Sequence, residues 1–199
     1  MKGNPVITIS REHGTAGRQV GKRLAEMLGI SYYDNYTMAE LFEENSEKGK
    51  EYFRNSGETE ASEKQYGQFN YRYSRYKTLN EEMFDEQSRV MRGLAEKGPA
   101  VFVGRCADVV LEDHPGLITV FIGGNLEKRI RAIAERTGKD ARQARAEIHA
   151  RDKSRATYYS YYAERKWGLR ENYDLCIDSG NLDVDGMAEV IKSFVELKK

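Results

Sequence analysis

The chain has 199 residues, enough for one compact α/β domain with a small appendage. Its 32 basic and 32 acidic side chains leave no formal net charge, which excludes a general nucleic-acid or membrane-binding surface, since that needs a standing basic excess. No apolar run reaches the length that crosses a bilayer.

Residues 5–10 form a short β-branched run, followed closely by Gly14 and Gly17. Val20, Leu24, Met27 and Leu28 then recur at helical spacing, and Gly29 is a natural stop. Residues 30–33 read as a second strand ending at Asp34. This opening of strand, Gly-containing turn, helix and strand is the pattern of a parallel sheet covered by helices. The chain enters its first strand without a basic and then apolar leader, so a cytoplasmic protein is expected.

The pattern weakens over residues 35–77. Residues 37–53 look helical, while 55–65 are polar without apolar periodicity. Residues 66–76 are rich in Tyr and Arg, which suits either a surface insert anchored by its rings or a flap covering a substrate. Leu79, Met83, Val90, Met91 and Leu94 mark an amphipathic helix. Residues 99–103 and 117–122 are continuous apolar runs, expected to be buried strands. Leu126, Ile130 and Ile133 carry another helix. Residues 140–163 read as helical, crowded with Arg and broken or bent somewhere. Residues 173–178 make a last strand, and Val184, Met187, Val190, Ile191 and Phe194 a closing helix. Cys106 and Cys176 both lie near apolar runs and are expected to be buried free thiols. The fold expected is a three-layer α/β domain with about five parallel strands.

Phosphates bind where a strand enters a helix through a Gly-rich loop, because amide N–H groups and the helix dipole both favour an anion. The usual signature is G-x-x-x-x-G-K-[ST]. In the register Glu12-His13-Gly14-Thr15-Ala16-Gly17-Arg18-Gln19, Gly17 takes the second Gly position and Arg18 replaces the Lys with another cation. Glu12 then replaces the first Gly, and Gln19 the hydroxyl that ligates magnesium. An ordinary Gly turn that caps a helix fits these residues as well.

The segment Ile7-Thr8-Ile9-Ser10-Arg11-Glu12-His13-Gly14-Thr15-Ala16-Gly17-Arg18 resembles the opening of the cytidylate kinase-like family, which reads S-R-E-x-G-[ST]-x-G-R there. Further blocks fit in order: Val103-Gly104-Arg105-Cys106-Ala107-Asp108, then Arg151-Asp152-Lys153-Ser154-Arg155 leading into Tyr158–Tyr162, then Trp167 and residues 172–178. The resemblance implies a P-loop kinase fold in one domain over 1–199, with an acceptor-binding insert over 35–77 and a lid over 140–165. It implies transfer of the γ-phosphoryl of ATP, with Mg2+, to CMP or a related small acceptor. A nucleotide-binding protein without transfer, or a kinase of another small acceptor, are the alternatives. Small nucleotides are the expected partners, with neither nucleic acid nor membrane among them.

Residue roles follow from the same resemblance. His13, Gly14, Thr15, Ala16, Gly17, Arg18 and Gln19 would hold the donor phosphates. Arg105 follows a buried strand through Gly104 and would grip the acceptor phosphate, with Asp108 one turn on standing in for the family's Asp. Arg151 and Arg155, four apart on one helical face, would be lid arginines that act in transfer with Arg18; a solvated face with Glu147 offsetting Arg151 is the plainer alternative. Asp34 suits either an acceptor contact or a helix N-cap. Arg129, Arg131, Arg142 and Arg145 read as solvated surface. His13, His114 and His149 have no metal-ligand spacing, so structural zinc is not expected; with no hydroxyl at Gln19, no clear protein ligand for Mg2+ is visible, which leaves Thr15, water or the nucleotide alone to hold it.

Overall fold

The computed structural model describes residues 4–43 and 79–198. Five parallel strands form one sheet in the order β2-β3-β1-β4-β5. They are β1 (Val6–Arg11), β2 (Ser31–Tyr33), β3 (Ala100–Val103), β4 (Leu117–Gly123) and β5 (Leu175–Asp178). The described helices are α1 (Gly17–Leu28), α2 (Asn35–Glu43), α3 (Leu79–Lys97), α4 (Ala107–Val110), α5 (Leu126–Thr137), α6 (Ala141–Ala163) and α7 (Val184–Leu197).

The apolar runs are central because both sheet faces are covered. Ile7 and Ile9 of β1 sit level with Val101 and Val103 of β3 and with Ile118 and Val120 of β4. These side chains share one face and pack against Val20 and Leu24 of α1 and Met187, Ile191 and Val195 of α7. On the opposite face Val6, Ala100 and Phe102 meet Met38 of α2, Met83 and Met91 of α3, and Val110 of α4. All strands therefore point their carboxyl ends to one edge, where ligands bind in open parallel sheets.

Three expectations change. The segment 140–163 is one continuous helix, started by a capping box in which Asp140 accepts from Gln143 N–H and Gln143 accepts from Asp140 N–H. Cys106 is buried, but Cys176 is exposed, because β5 is an edge strand covered less fully than the centre. Both are free thiols. Arg129, expected in solvent, is 7% exposed. Arg131, Arg142 and Arg145 are exposed as expected. The Tyr-rich segment 66–76 and the rest of 44–78 lie outside the described residues.

Two glycines test how closely α1 packs. A Cβ on Gly21 would lie 2.6 Å from Val103 Cγ2, whereas one on Gly93 of α3 would meet nothing within 4 Å. Gly21→Ala is expected to destabilise by about 1–3 kcal/mol through overpacking. Gly93→Ala should stabilise by about 0.5–1 kcal/mol through reduced backbone entropy. Urea denaturation of the two variants checks both signs.

Candidate active site

β1 delivers Arg11 to the carboxyl edge, and Glu12 N–H still donates to Ile122 O of β4 at 3.0 Å. The chain then turns through two left-handed residues, Gly14 (φ 90) and Ala16 (φ 58), before α1 begins at Gly17. Ala16, the residue before the helix, is the left-handed one, and Gly17, expected at the second-Gly position, is the first helical residue and has no positive φ. Val20 N–H is the first amide of α1 to find a helical acceptor, Ala16 O at 3.0 Å. The amides of Gly14 to Gln19 meet no acceptor among the described residues, as expected at a helix start that receives an anion. Gln19 itself is exposed on α1.

The loop is braced from behind by Arg129 of α5. Its guanidinium donates to Gly124 O at 3.1 Å, His13 O at 3.2 Å and Asp152 Oδ2 at 2.7 Å, and lies 3.4 Å from Glu12 Oε1. Glu12 also accepts from Gly124 N–H at 2.9 Å. A Cβ on Gly14 would come within 3.1 Å of Arg129 Cβ, so this glycine supplies both a positive φ and a close approach. Asp152 completes the brace by accepting from His13 N–H at 2.7 Å. The helix α6 is thus docked onto the loop, and Arg151 and Arg155 come with it. Arg151 lies 3.2 Å from Glu147, and Arg155 donates to Arg11 O at 3.0 Å.

The far side of the edge is built from β2, α2 and the turn after β3. Asp34 is 3% exposed and caps α2, accepting from Tyr36 N–H at 2.9 Å and Thr37 N–H at 3.0 Å. Its other oxygen accepts from Tyr32 OH at 2.9 Å and Arg18 Nε at 2.5 Å. Both readings of Asp34 thus meet in one residue: it is the N-cap, and it also faces a cation. Arg18 stacks 4.2 Å from the centre of the Tyr36 ring, so its side chain is directed to α2. Gly104, Arg105 and Cys106 are left-handed in succession (φ 83, 60 and 54); such backbone costs of order 1–3 kcal/mol per non-Gly residue and collects at functional sites. Arg105 donates to Asn35 Oδ1 and lies 6.0 Å from the Tyr158 ring centre. Asp108 follows in α4 and is 6% exposed, and Tyr159 OH of α6 donates to it at 2.7 Å.

Burial sets the charge states. Desolvation pushes the Asp108 carboxyl up, only partly opposed by Tyr159. Burial also works against Asp34, yet the Thr37 amide, Tyr32 and Arg18 hold its carboxyl below the usual range. His13 is pushed down to about 4 by burial and then by Arg155 and Arg151, against the pull of Glu147 at 3.0 Å. At neutral pH it is an uncharged strut, with its ring turned to α6. Glu147 is held down at about 2: burial opposes this, but Lys139 at 2.7 Å and the His13 hydrogen bond prevail.

Magnesium finds no ready ligand here. Neither Arg18 nor Gln19 at the start of α1 carries a hydroxyl, and the hydroxyl of Thr15 is 2% exposed and donates to Glu12 O at 2.9 Å. Among the described residues no group of three or more His, Cys, Asp or Glu side chains has metal-binding geometry. The residues present therefore do not fit a protein-held Mg2+ at the usual place.

The backbone and this edge have counterparts. The family model described as cytidylate kinase-like family matches residues 6–181. The chain is 29% identical to a cytidylate kinase of Archaeoglobus fulgidus, spanning 97% of this chain and 96% of that protein. It is 27% identical to a cytidylate kinase of Methanopyrus kandleri over 96% of this chain and 93% of the relative. A solved protein of Eubacterium ventriosum, described only as uncharacterized, superposes with a TM-score of 0.75 at 28% identity, covering 98% of this chain and 99% of the other. A shikimate kinase of Bacteroides thetaiotaomicron has a TM-score of 0.56 at 14% identity, over 96% and 98% of the two chains, and shares the fold. No helix among the described residues is long and apolar enough to cross a membrane.

The buried His13 makes the docking of α6 sensitive to acid. An unfolded chain protonates this ring near 6.5 and the folded one near 4. Between those values the unfolded state binds more protons, so stability falls as pH drops from 6.5 towards 4. The loss from His13 alone approaches about 2 kcal/mol at pH 5. Glu147, with its depressed pKa, adds a further loss as pH falls from 4.5 towards about 2. Urea midpoints at pH 7 and pH 5 are expected to differ in the wild type and to converge in His13→Gln.

Proposed function

The chain belongs to the cytidylate kinase-like family, and from that premise we propose that it is an ATP-dependent nucleoside-monophosphate kinase whose acceptor is CMP. The observation that carries this reading is the loop of unpaired amides between Gly14 and Gln19, with Arg105 and Arg155 converging on the same sheet edge. The cytidylate kinases of Archaeoglobus fulgidus and Methanopyrus kandleri support CMP as the acceptor.

In this reading the loop amides and the amino end of α1 hold the β- and γ-phosphates of ATP. Arg105, fixed by Asn35 and a strained turn, holds the phosphate of the monophosphate opposite. An oxygen of that phosphate attacks the γ-phosphorus, the bond from that phosphorus to the β–γ bridging oxygen breaks, and ADP leaves. A nucleotide phosphate is already ionised at neutral pH and needs no general base. That matches a site whose buried histidine is a neutral strut rather than a free base. Arg151 and Arg155 of the lid helix neutralise charge that spreads over the transferring group. Asp34 and Arg18 form the wall on the acceptor side. Asp108 acts by setting the position of α6 through Tyr159. Bound to the nucleotide rather than to these side chains, magnesium would supply neutralisation of phosphate charge.

One observation favours a second reading, nucleotide binding without transfer: neither Arg18 nor Gln19 supplies the hydroxyl that ordinarily ligates magnesium at the start of the helix. A coupled ADP-release assay over CMP, UMP, AMP and a hydroxyl acceptor separates the two. ADP release that depends on CMP is expected. ATP binding with no ADP release on any acceptor would establish the second reading instead. Arg105→Ala should raise the acceptor KM, whereas Arg151→Ala or Arg155→Ala should lower kcat by about 100- to 1,000-fold, the scale of one lost preorganised donor. An unchanged acceptor KM in Arg105→Ala would remove that arginine from the acceptor phosphate.

A further inference from the structure

We propose that Arg11 is the phosphate-loop cation of this protein, reaching the donor phosphates across Gly17. The inference deepens the phosphotransferase reading and rests on it. In the usual loop a glycine stands first, and a Lys at the start of the helix folds back over the loop to the β- and γ-phosphates. Here Gly17 is the first residue of α1, and Arg11 ends β1.

The space over Gly17 is filled. A Cβ on Gly17 would lie 2.6 Å from Arg11 Cβ and 2.8 Å from Arg11 Cγ. The Arg11 stem therefore runs directly over the start of α1. Its guanidinium ends against Gly104: a Cβ there would lie 3.3 Å from Arg11 Cζ and would collide with Nη1. Gly104 is left-handed (φ 83) and directly precedes Arg105. The head of Arg11 thus lies against the turn that carries Arg105, the arginine assigned to the acceptor phosphate. Arg155 donates to the backbone oxygen of Arg11, so the lid arginine reaches the same place.

Arg18 is the rival cation, and its side chain is directed to α2 rather than over the start of α1. Its Nε lies 2.5 Å from Asp34 and its guanidinium stacks on Tyr36. A guanidinium at Arg11 adds what a lysine lacks, a planar fork that takes two phosphate oxygens at once. Any side chain at Gly17 would displace the Arg11 stem, and any at Gly104 would displace its head, so the three positions act as one device.

The test is calorimetric titration of the full chain with ATP in the absence of acceptor, so that no turnover is needed. Arg11→Ala should weaken ATP binding by about 10- to 100-fold, the scale of hydrogen bonds to a charged group, and leave adenosine binding as it was. Arg18→Ala should weaken ATP binding less than about threefold. Arg11→Gly combined with Gly17→Lys, which puts a cation at the first helical residue, should bind ATP more tightly than Arg11→Gly alone. Should Arg11→Ala fail to fold by circular dichroism, Arg11→Gln keeps the side-chain length without the charge and is read against the same thresholds. ATP binding within about twofold of wild type in the folded Arg11 variant would overturn the proposal. So would an Arg18→Ala loss as large as that of Arg11→Ala. Wild-type protein that fails to bind ATP at all would overturn the kinase reading and this inference together, an outcome distinct from the other two.

Discussion

The carboxyl edge of the sheet depends on one buried guanidinium. Arg129 joins the turn after β1, the turn after β4 and α6, through His13 O, Gly124 O, Glu12 and Asp152. A buried charge is tolerated only when its donors are matched and its charge is offset. Both conditions hold here, because two carbonyls and two carboxylates surround it. Removing one carboxylate would leave part of that charge uncompensated, a change that typically costs about 3–5 kcal/mol in a buried pair. The same contact explains why Gly14 has no side chain, since the Arg129 stem occupies that side of the loop.

From this constraint the departures from the ordinary phosphate-loop signature become a connected set. Glu12 sits in the loop because Arg129 and the Gly124 amide require an acceptor. Ala16 accepts a left-handed backbone, at a cost a glycine would avoid. Gly17 leaves the room that Arg11 uses, and Arg18, released from the loop, pairs with the N-cap of α2. Each change read alone looks like decay of a motif. Taken together they show a loop braced by side chains where others rely on glycine.

Much of the fold was legible because its signals are local. The continuous apolar runs of β1, β3 and β4 and the amphipathic spacing of α1, α3, α5 and α7 all correspond to observed elements. The continuity of α6 was not legible, since its sequence has no sustained apolar stripe. Its docking combines separate apolar contacts, Ala144 and Ile148 on α5 and Tyr159 on Cys106, with Glu147, Asp152 and Arg155 meeting partners more than a hundred residues away or in Arg129 of another helix. Arg129 was missed for a related reason: the apolar spacing of Leu126, Ile130 and Ile133 says nothing about a basic residue beside them. The exposure of Cys176 depends on strand order, which no local pattern carries. The left-handed backbone of Ala16 is likewise not legible, because alanine carries no local signal for a positive φ.

The distribution of charge around the edge gives the last constraint on what it can bind. The loop, its braces and the facing turn bring together Arg11, Arg18, Arg105, Arg129, Arg151 and Arg155, against Glu12, Asp34, Glu147 and Asp152. Among the described residues six guanidinium groups stand here against four carboxylates, in a chain with no formal net charge. Three of the carboxylates, Glu12, Glu147 and Asp152, lie behind the loop or along α6, and Asp34 caps α2. The proposed transfer needs guanidinium groups beside the phosphates of both nucleotides, and this edge brings them together where low-dielectric surroundings strengthen their attraction for an anion.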